Sequence, residues 1–100
     1  MTRTFYEALG EEGSKKSLVH YPANTFPGQD KPLADNTHFN PYGAWEVAKM
    51  VIMGLEQLQS PLITHLRPEW QDFDPGHPDD PDAFVWYMSA GSNITKPDGN

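Results

Sequence analysis

One hundred residues make at most one small domain, which buries only about 60–65% of its unfolded surface, and a hydrophobic content of 37% without cysteine leaves a thin core and no disulfide to staple it. A formal net charge of −7, with only seven Lys and Arg, provides no basic stripe for displacing counterions from nucleic acid and none for an anionic membrane surface. No apolar run approaches the roughly 18 residues of a membrane span, and Met1 to Glu7 lacks the apolar stretch of a signal peptide.

The chain is therefore expected to be soluble, with any export signal upstream of Met1. The polar balance, a mean hydropathy of −0.66, fits a piece of a larger protein better than a domain that folds alone. The missing cysteines are compatible with any compartment.

In chain order, Phe5 to Leu9 predicts a helix that Gly10 and Gly13 favour ending. Ser17 to Tyr21 is short and β-leaning, a buried strand by composition, so the opening is the αβ half of a layered α/β unit. Pro22 to Ala34 carries three prolines, a Pro27-Gly28 pair and no apolar periodicity, which predicts a surface loop leading to Asp35. Asn24 and Thr25 in that loop are weak candidates for substrate contact.

Asn40 is a good N-cap and Pro41 fits the first helical position, where its missing N–H costs nothing. Ala44, Trp45, Ala48, Val51, Ile52 and Leu55 then recur at helical spacing, with Glu46, Lys49 and Glu56 mostly off that face. A helix over about residues 41–59 follows. Ser60-Pro61 repeats the pattern and predicts a shorter helix over 61–66, ending before Pro68. From Arg67 onward Pro, Asp and Gly dominate, which predicts an extended arm over 67–100. Within it the apolar run Ala83 to Met88 has few partners in this chain and is expected to dock on protein outside it.

The chemistry-bearing residues are Asp35 and His38. A serine hydroxyl needs a neutral imidazole within hydrogen-bond reach and a carboxylate that fixes the imidazole tautomer. A tight turn would let Asp35 fold back onto Nδ1 of His38 and leave Nε2 outward. Spacing alone is weak, since eight Asp and four His give chance matches. Asp74 and His77 repeat it among prolines, with no predicted element to hold a geometry. By residue type alone, an Asx turn beside a surface histidine fits Asp35 and His38 as well as a catalytic dyad does.

The run Asp35-Asn-Thr-His-Phe-Asn-Pro-Tyr-Gly-Ala44, with Val47-Ala48 and the apolar helix behind it, resembles the last motif block of the SGNH (GDSL-like) hydrolases. It is most similar to the rhamnogalacturonan acetylesterases of that superfamily. Tyr21 to Gln29 and Lys96 to Asn100 resemble the same family, so the likeness covers most of the chain. It implies His38 as general base and then acid, with Asp35 as its orienting partner. The family's Gly-Asp-Ser block and its oxyanion-hole glycine and asparagine have no counterpart here. Neither Gly13-Ser14 nor Gly91-Ser92 is predicted at a strand-to-helix turn. Without a nucleophile, the chain by itself is expected to be inactive.

Six acidic and histidine residues between Asp72 and Asp82 lack the ligand alternation and closing Glu of a calcium loop, and are expected to form a solvated linker. His20 is expected to be a hydrogen-bonded core or edge residue, and His65 a surface one. Trp45, Met50, Met53 and the aromatics of Phe84 to Tyr87 could form a sugar-stacking platform, but their helical period favours core packing at the helix positions. Asn93-Ile-Thr95 fits a glycosylation acceptor, which matters only on a eukaryotic secretory route.

The expected fold is the C-terminal part of a flavodoxin-like α/β/α SGNH sandwich, with residues 1–66 in the hydrolase domain and 67–100 as the arm. The resemblance implies removal of O-acetyl groups from pectic rhamnogalacturonan, without a cofactor or metal. The implied partners are the acetylated polysaccharide or a small ester and the missing N-terminal half of the domain, with the complete protein secreted or periplasmic. Two rivals are a non-catalytic accessory module derived from the fold and an esterase for xylan acetyl groups or small esters.

Overall fold

The computed structural model describes residues 1–91 and 94–98. Helix α1 spans Thr2–Lys15, strand β1 Leu18–Tyr21, strand β2 Leu33–Phe39 and helix α2 Pro41–Gln57, followed by a 3₁₀ helix over Pro61–His65. The predicted break at Gly10 is a kink: this residue adopts φ 68° and ψ −177°, after which the helix resumes. Glycine takes such positive φ values without a Cβ clash. Gly13 remains helical, so α1 runs on to Lys15.

Most of the predicted Pro22 to Ala34 loop is irregular, but its end and the Asp35 segment form a strand that the loop reading missed. β1 and β2 pair antiparallel, with His20 opposite Ala34 and Tyr21 opposite Leu33. The proline and glycine content hid this strand, because only Leu33, Ala34 and Asp35 precede the polar Asn-Thr-His run. Among the described residues these two strands are the whole sheet. The parallel sheet expected from the resemblance is not part of it. A two-stranded ribbon is marginal alone in water.

Asn40 caps α2 as its sequence predicts: its Oδ1 accepts from Gly43 N at 2.9 Å, and Pro41 occupies the first turn. The buried face of α2 differs from expectation. Tyr42, Gly43, Glu46 and Met50 are buried, while Trp45 is 47% and Val51 57% exposed. Ala44 and Ala48 are exposed too, with Ile52 and Leu55 half-buried. Periodicity identifies positions suited to burial, but the faces actually covered depend on what the chain brings against the helix. Here α1 and residues after Arg67 cover the opposite side.

That later segment contains no helix or strand among the described residues, yet it packs. Phe73 joins Phe5, Tyr42 and Met50 in the core, with Trp70 and Phe84 at its margin. The Trp70 indole donates to Glu56 Oε1 at 3.1 Å. Tyr42 OH donates to the Asp79 carbonyl at 2.7 Å, and its ring meets Phe84 edge-on at 5.5 Å. Phe84 thus has a partner in this chain, while Val85, Trp86, Tyr87 and Met88 remain exposed. The Cα radius of gyration, 15.5 Å, exceeds the ~13 Å of a compact 100-residue domain, so the packing is open.

Candidate active site

The ladder breaks where the candidate dyad lies. Val19 pairs with Asp35, but Leu18 pairs with Phe39. Asn36, Thr37 and His38 are therefore extruded from β2 as a bulge, a device that re-aims side chains. Asp35 organises it. Its Oδ1 accepts from Thr37 N at 2.7 Å and His38 N at 2.8 Å, and its Oδ2 lies 3.0 Å from His38 Nδ1. Both carboxylate oxygens are thus directed within three residues of chain.

Burial separates the two partners. The Asp35 side chain is 2% exposed and that of His38 61%, so a desolvated carboxylate holds an accessible imidazole. With Nδ1 engaged, Nε2 is the nitrogen open to a hydroxyl. Among the described residues no serine hydroxyl bonds it. Ser14 Oγ donates to the Gly10 carbonyl and Ser17 Oγ to the Ser14 carbonyl, while Ser92 lies outside the described residues, as does Asn93 of the acceptor pattern.

The bulge is clamped on both flanks. On the C-terminal side, Asn40 Nδ2 donates to the carbonyls of Lys16 and Leu18 at 2.6 and 3.1 Å, and Asn40 N to Ser17 O at 3.2 Å. Gly43 makes this approach possible. A Cβ there would overlap the Ser17 carbonyl oxygen and sit 3.2 Å from the Phe39 ring. Since the obstacle is backbone, Gly43→Ala should destabilise the fold by about 2–3 kcal/mol, read as a lower urea midpoint at unchanged slope. A shift below about 0.5 kcal/mol would show that the approach of α2 to the Ser17 carbonyl is not tight.

On the N-terminal side, Gln29, 4% exposed, ties up the loop. Its Oε1 accepts from Thr25 N and Phe26 N at 3.1 Å, and its Nε2 donates to the carbonyls of Pro22 and Lys31. Asn24 has φ 63° and donates its N–H to the Gln29 carbonyl, while Thr25 Oγ1 donates to the Pro22 carbonyl. The two loop residues weighed for substrate contact thus shape the loop itself. Gln29 carried no sequence signal, because a glutamine in a proline-rich loop reads as solvated.

Asp74 and His77 also come together, contrary to the expectation that nothing holds them. His77 Nδ1 lies 2.7 Å from Asp74 Oδ2, and Gly76 N donates to Asp74 Oδ1 at 2.9 Å. The bond from His77 holds the Asp74 carboxyl below its ordinary pKa. The Asp-x-x-His spacing is a local turn in both places. Exposure distinguishes them: Asp74 is 66% and His77 87% exposed, and so solvated a pair contributes little.

A second polar cluster was not anticipated. Glu46, fully buried, meets Lys49 Nζ at 2.7 Å in an ionic contact poorly aligned for a hydrogen bond. Lys49 also reaches Asp79 Oδ2 at 2.7 Å and lies 4.1 Å from the centroid of the Phe73 ring. Burial pushes the Glu46 carboxyl above its ordinary pKa. The Lys49 hydrogen bond holds that of Asp79 below. Lys16 pairs with Asp82 at 2.7 Å, so two members of the acidic run act as tethers. His65 is exposed, as expected. Among the described residues no group of three or more His, Cys, Asp or Glu could hold a metal ion, and no helix is long and apolar enough to cross a membrane.

No protein-family model matches the chain, and no solved structure matches it significantly. A search of curated proteins finds similarity to a rhamnogalacturonan acetylesterase of Bacillus subtilis, 46% identical over 65 residues. The match covers 65% of this chain and 28% of the relative. The chain therefore spans under a third of the length of the curated relative it matches, and over that stretch it is related to an acetylesterase.

Proposed function

We propose that the chain is the C-terminal part of an SGNH-type serine esterase that removes O-acetyl groups from pectic rhamnogalacturonan, with His38 as general base and then acid and Asp35 as its orienting partner. The observation that carries this proposal is the pairing of the buried Asp35 carboxylate with Nδ1 of the exposed His38. Three facts support membership of a larger α/β/α sandwich. Much of the apolar face of α2 is exposed, Trp45 and Val51 most of all, the two-stranded sheet is marginal by itself, and the relative is more than three times longer than the matched stretch.

In this mechanism Nε2 of His38 accepts the proton of a serine hydroxyl supplied by the rest of the domain, as its oxygen adds to the acetyl carbonyl. The tetrahedral intermediate expels the sugar oxygen, which takes that proton from His38 and leaves as the alcohol. Water, deprotonated by the same nitrogen, then adds to the acetyl-serine, and the serine oxygen leaves with that proton as acetate is released. Asp35 holds the Nδ1–H tautomer throughout. The polysaccharide lies outside the cell, so the complete protein is secreted or periplasmic.

The test compares the complete reading frame with the 100-residue chain. The complete protein is expected to carry a Gly-Asp-Ser block upstream and to release acetate from acetylated rhamnogalacturonan, while the chain alone stays at background on an activated acetyl ester. A complete protein without that block, or inactive on every acetyl ester, would overturn the esterase proposal and favour an accessory module. Preference for acetylated xylan would overturn the substrate only.

A further inference from the structure

We infer that His20 is a positioning residue for the Asp35–His38 pair, acting through Asn36. This inference rests on the role proposed for that pair, but the juxtaposition stands independently. His20 faces Ala34 across the ladder and Val19 faces Asp35. Side chains alternate between faces, so His20 and Asn36 form a diagonal pair on the outer face, within reach of long side chains. Val19 and Asp35 point inward, each 2% exposed.

His20 Nε2 lies 2.7 Å from Asn36 Oδ1. The amide oxygen only accepts, so the imidazole donates, fixing its Nε2–H form. Asn36 is the first residue of the bulge. Thr37 and His38 are held by N–H bonds to Asp35, within the bulge's own segment, whereas the Asn36 side chain links the bulge to the neighbouring strand. Without that link, the three extruded residues are anchored across the sheet at their flanks, through the Asp35 and Phe39 ladder pairs and the Asn40 bonds to Lys16, Ser17 and Leu18, and not within the bulge itself. The His38 side chain is 61% exposed, so packing constrains its orientation less than it would in a core. A catalytic group needs its supporting residues locked to within about 0.5 Å, and His20 supplies that lock from β1.

The test is nitrogen-15 NMR of the histidine rings in the 100-residue chain, comparing wild type with His20→Ala, His20→Gln and Asn36→Ala. Wild type should show His38 in the Nδ1–H tautomer with a low-field Nδ1 proton. His20→Ala and Asn36→Ala should each lose that signature while amide dispersion is kept, the double variant should lose no more, and His20→Gln, whose amide can donate to Asn36, should restore it. Asn36 is exposed, so its truncation tests the link even if His20→Ala unfolds. An unchanged His38 signal in Asn36→Ala, or no recovery in His20→Gln, would overturn the inference.

In the complete esterase, His20→Ala should lower kcat about tenfold at unchanged KM, and His20→Gln should recover it. An inactive wild-type protein beside an intact NMR result would overturn the esterase proposal and leave the positioning role. The reverse pattern would overturn the positioning role alone.

Discussion

Under the proposed mechanism, His38→Ala in the complete protein should reduce kcat by about 10⁴-fold or more while leaving KM within a few-fold, because that mechanism uses the imidazole for proton transfer and not for substrate binding. Asp35→Asn should approach the same loss for a different reason. The asparagine carbonyl can keep the two bonds from Thr37 N and His38 N, so the bulge survives. Its amide nitrogen, placed where Oδ2 now faces Nδ1 at 3.0 Å, would donate to that nitrogen and move the ring proton to Nε2. The base would then present a proton to the serine instead of a lone pair. Retained turnover in either variant removes the pair from the mechanism. His77→Ala is the internal control: the Asp74–His77 turn has the same spacing and a shorter contact, 2.7 Å, and its loss should leave turnover unchanged.

The contrast between those two turns shows what the sequence could and could not reveal. An aspartate three residues before a histidine closes on it twice in this chain, because the acceptor reaches local N–H groups through a short turn. Spacing therefore predicts the contact but not its setting. The setting of Asp35 depends on β2, which pairs only because β1, some 15 residues earlier, folds back on it, and a polar Asn-Thr-His run gives no strand signal. The cap at Asn40 was legible because it is chemically local: one side chain, one N–H and a proline. The His20–Asn36 link was not, since it needs the register of two strands. On α2 the apolar period was legible and the covered face was not, because Phe5, Phe73 and Asp79 reach the helix from distant parts of the chain. Phe73 itself was hidden in an Asp- and Pro-rich segment whose composition reads as solvated.

Lys49→Met should destabilise the chain by about 3 kcal/mol at pH 7, since removing one partner of a buried pair leaves the other charge uncompensated. Glu46 is fully buried, and Lys49, 12% exposed, is the cation that meets it. Methionine keeps an unbranched apolar chain over Phe73, so the measured loss reports charge more than packing. Burial already raises the Glu46 pKa above its ordinary 4.5, and removing the ammonium raises it further. A group whose folded pKa exceeds its unfolded one favours folding when protonated and opposes it when ionised. The variant's penalty should therefore be largest above the raised Glu46 pKa and shrink as pH falls toward 4.5. Asp79 runs the other way: its pKa is lowered chiefly by the Lys49 hydrogen bond, so the stability it contributes is lost as pH falls through that lowered value, and the variant forfeits this contribution at neutral pH. Urea midpoints of both proteins from pH 7 to pH 4.5 separate the cases. A penalty that stays constant across that range would mean that Glu46 is not ionised in the folded chain, and that Lys49 serves Asp79 alone in holding the later segment against α2.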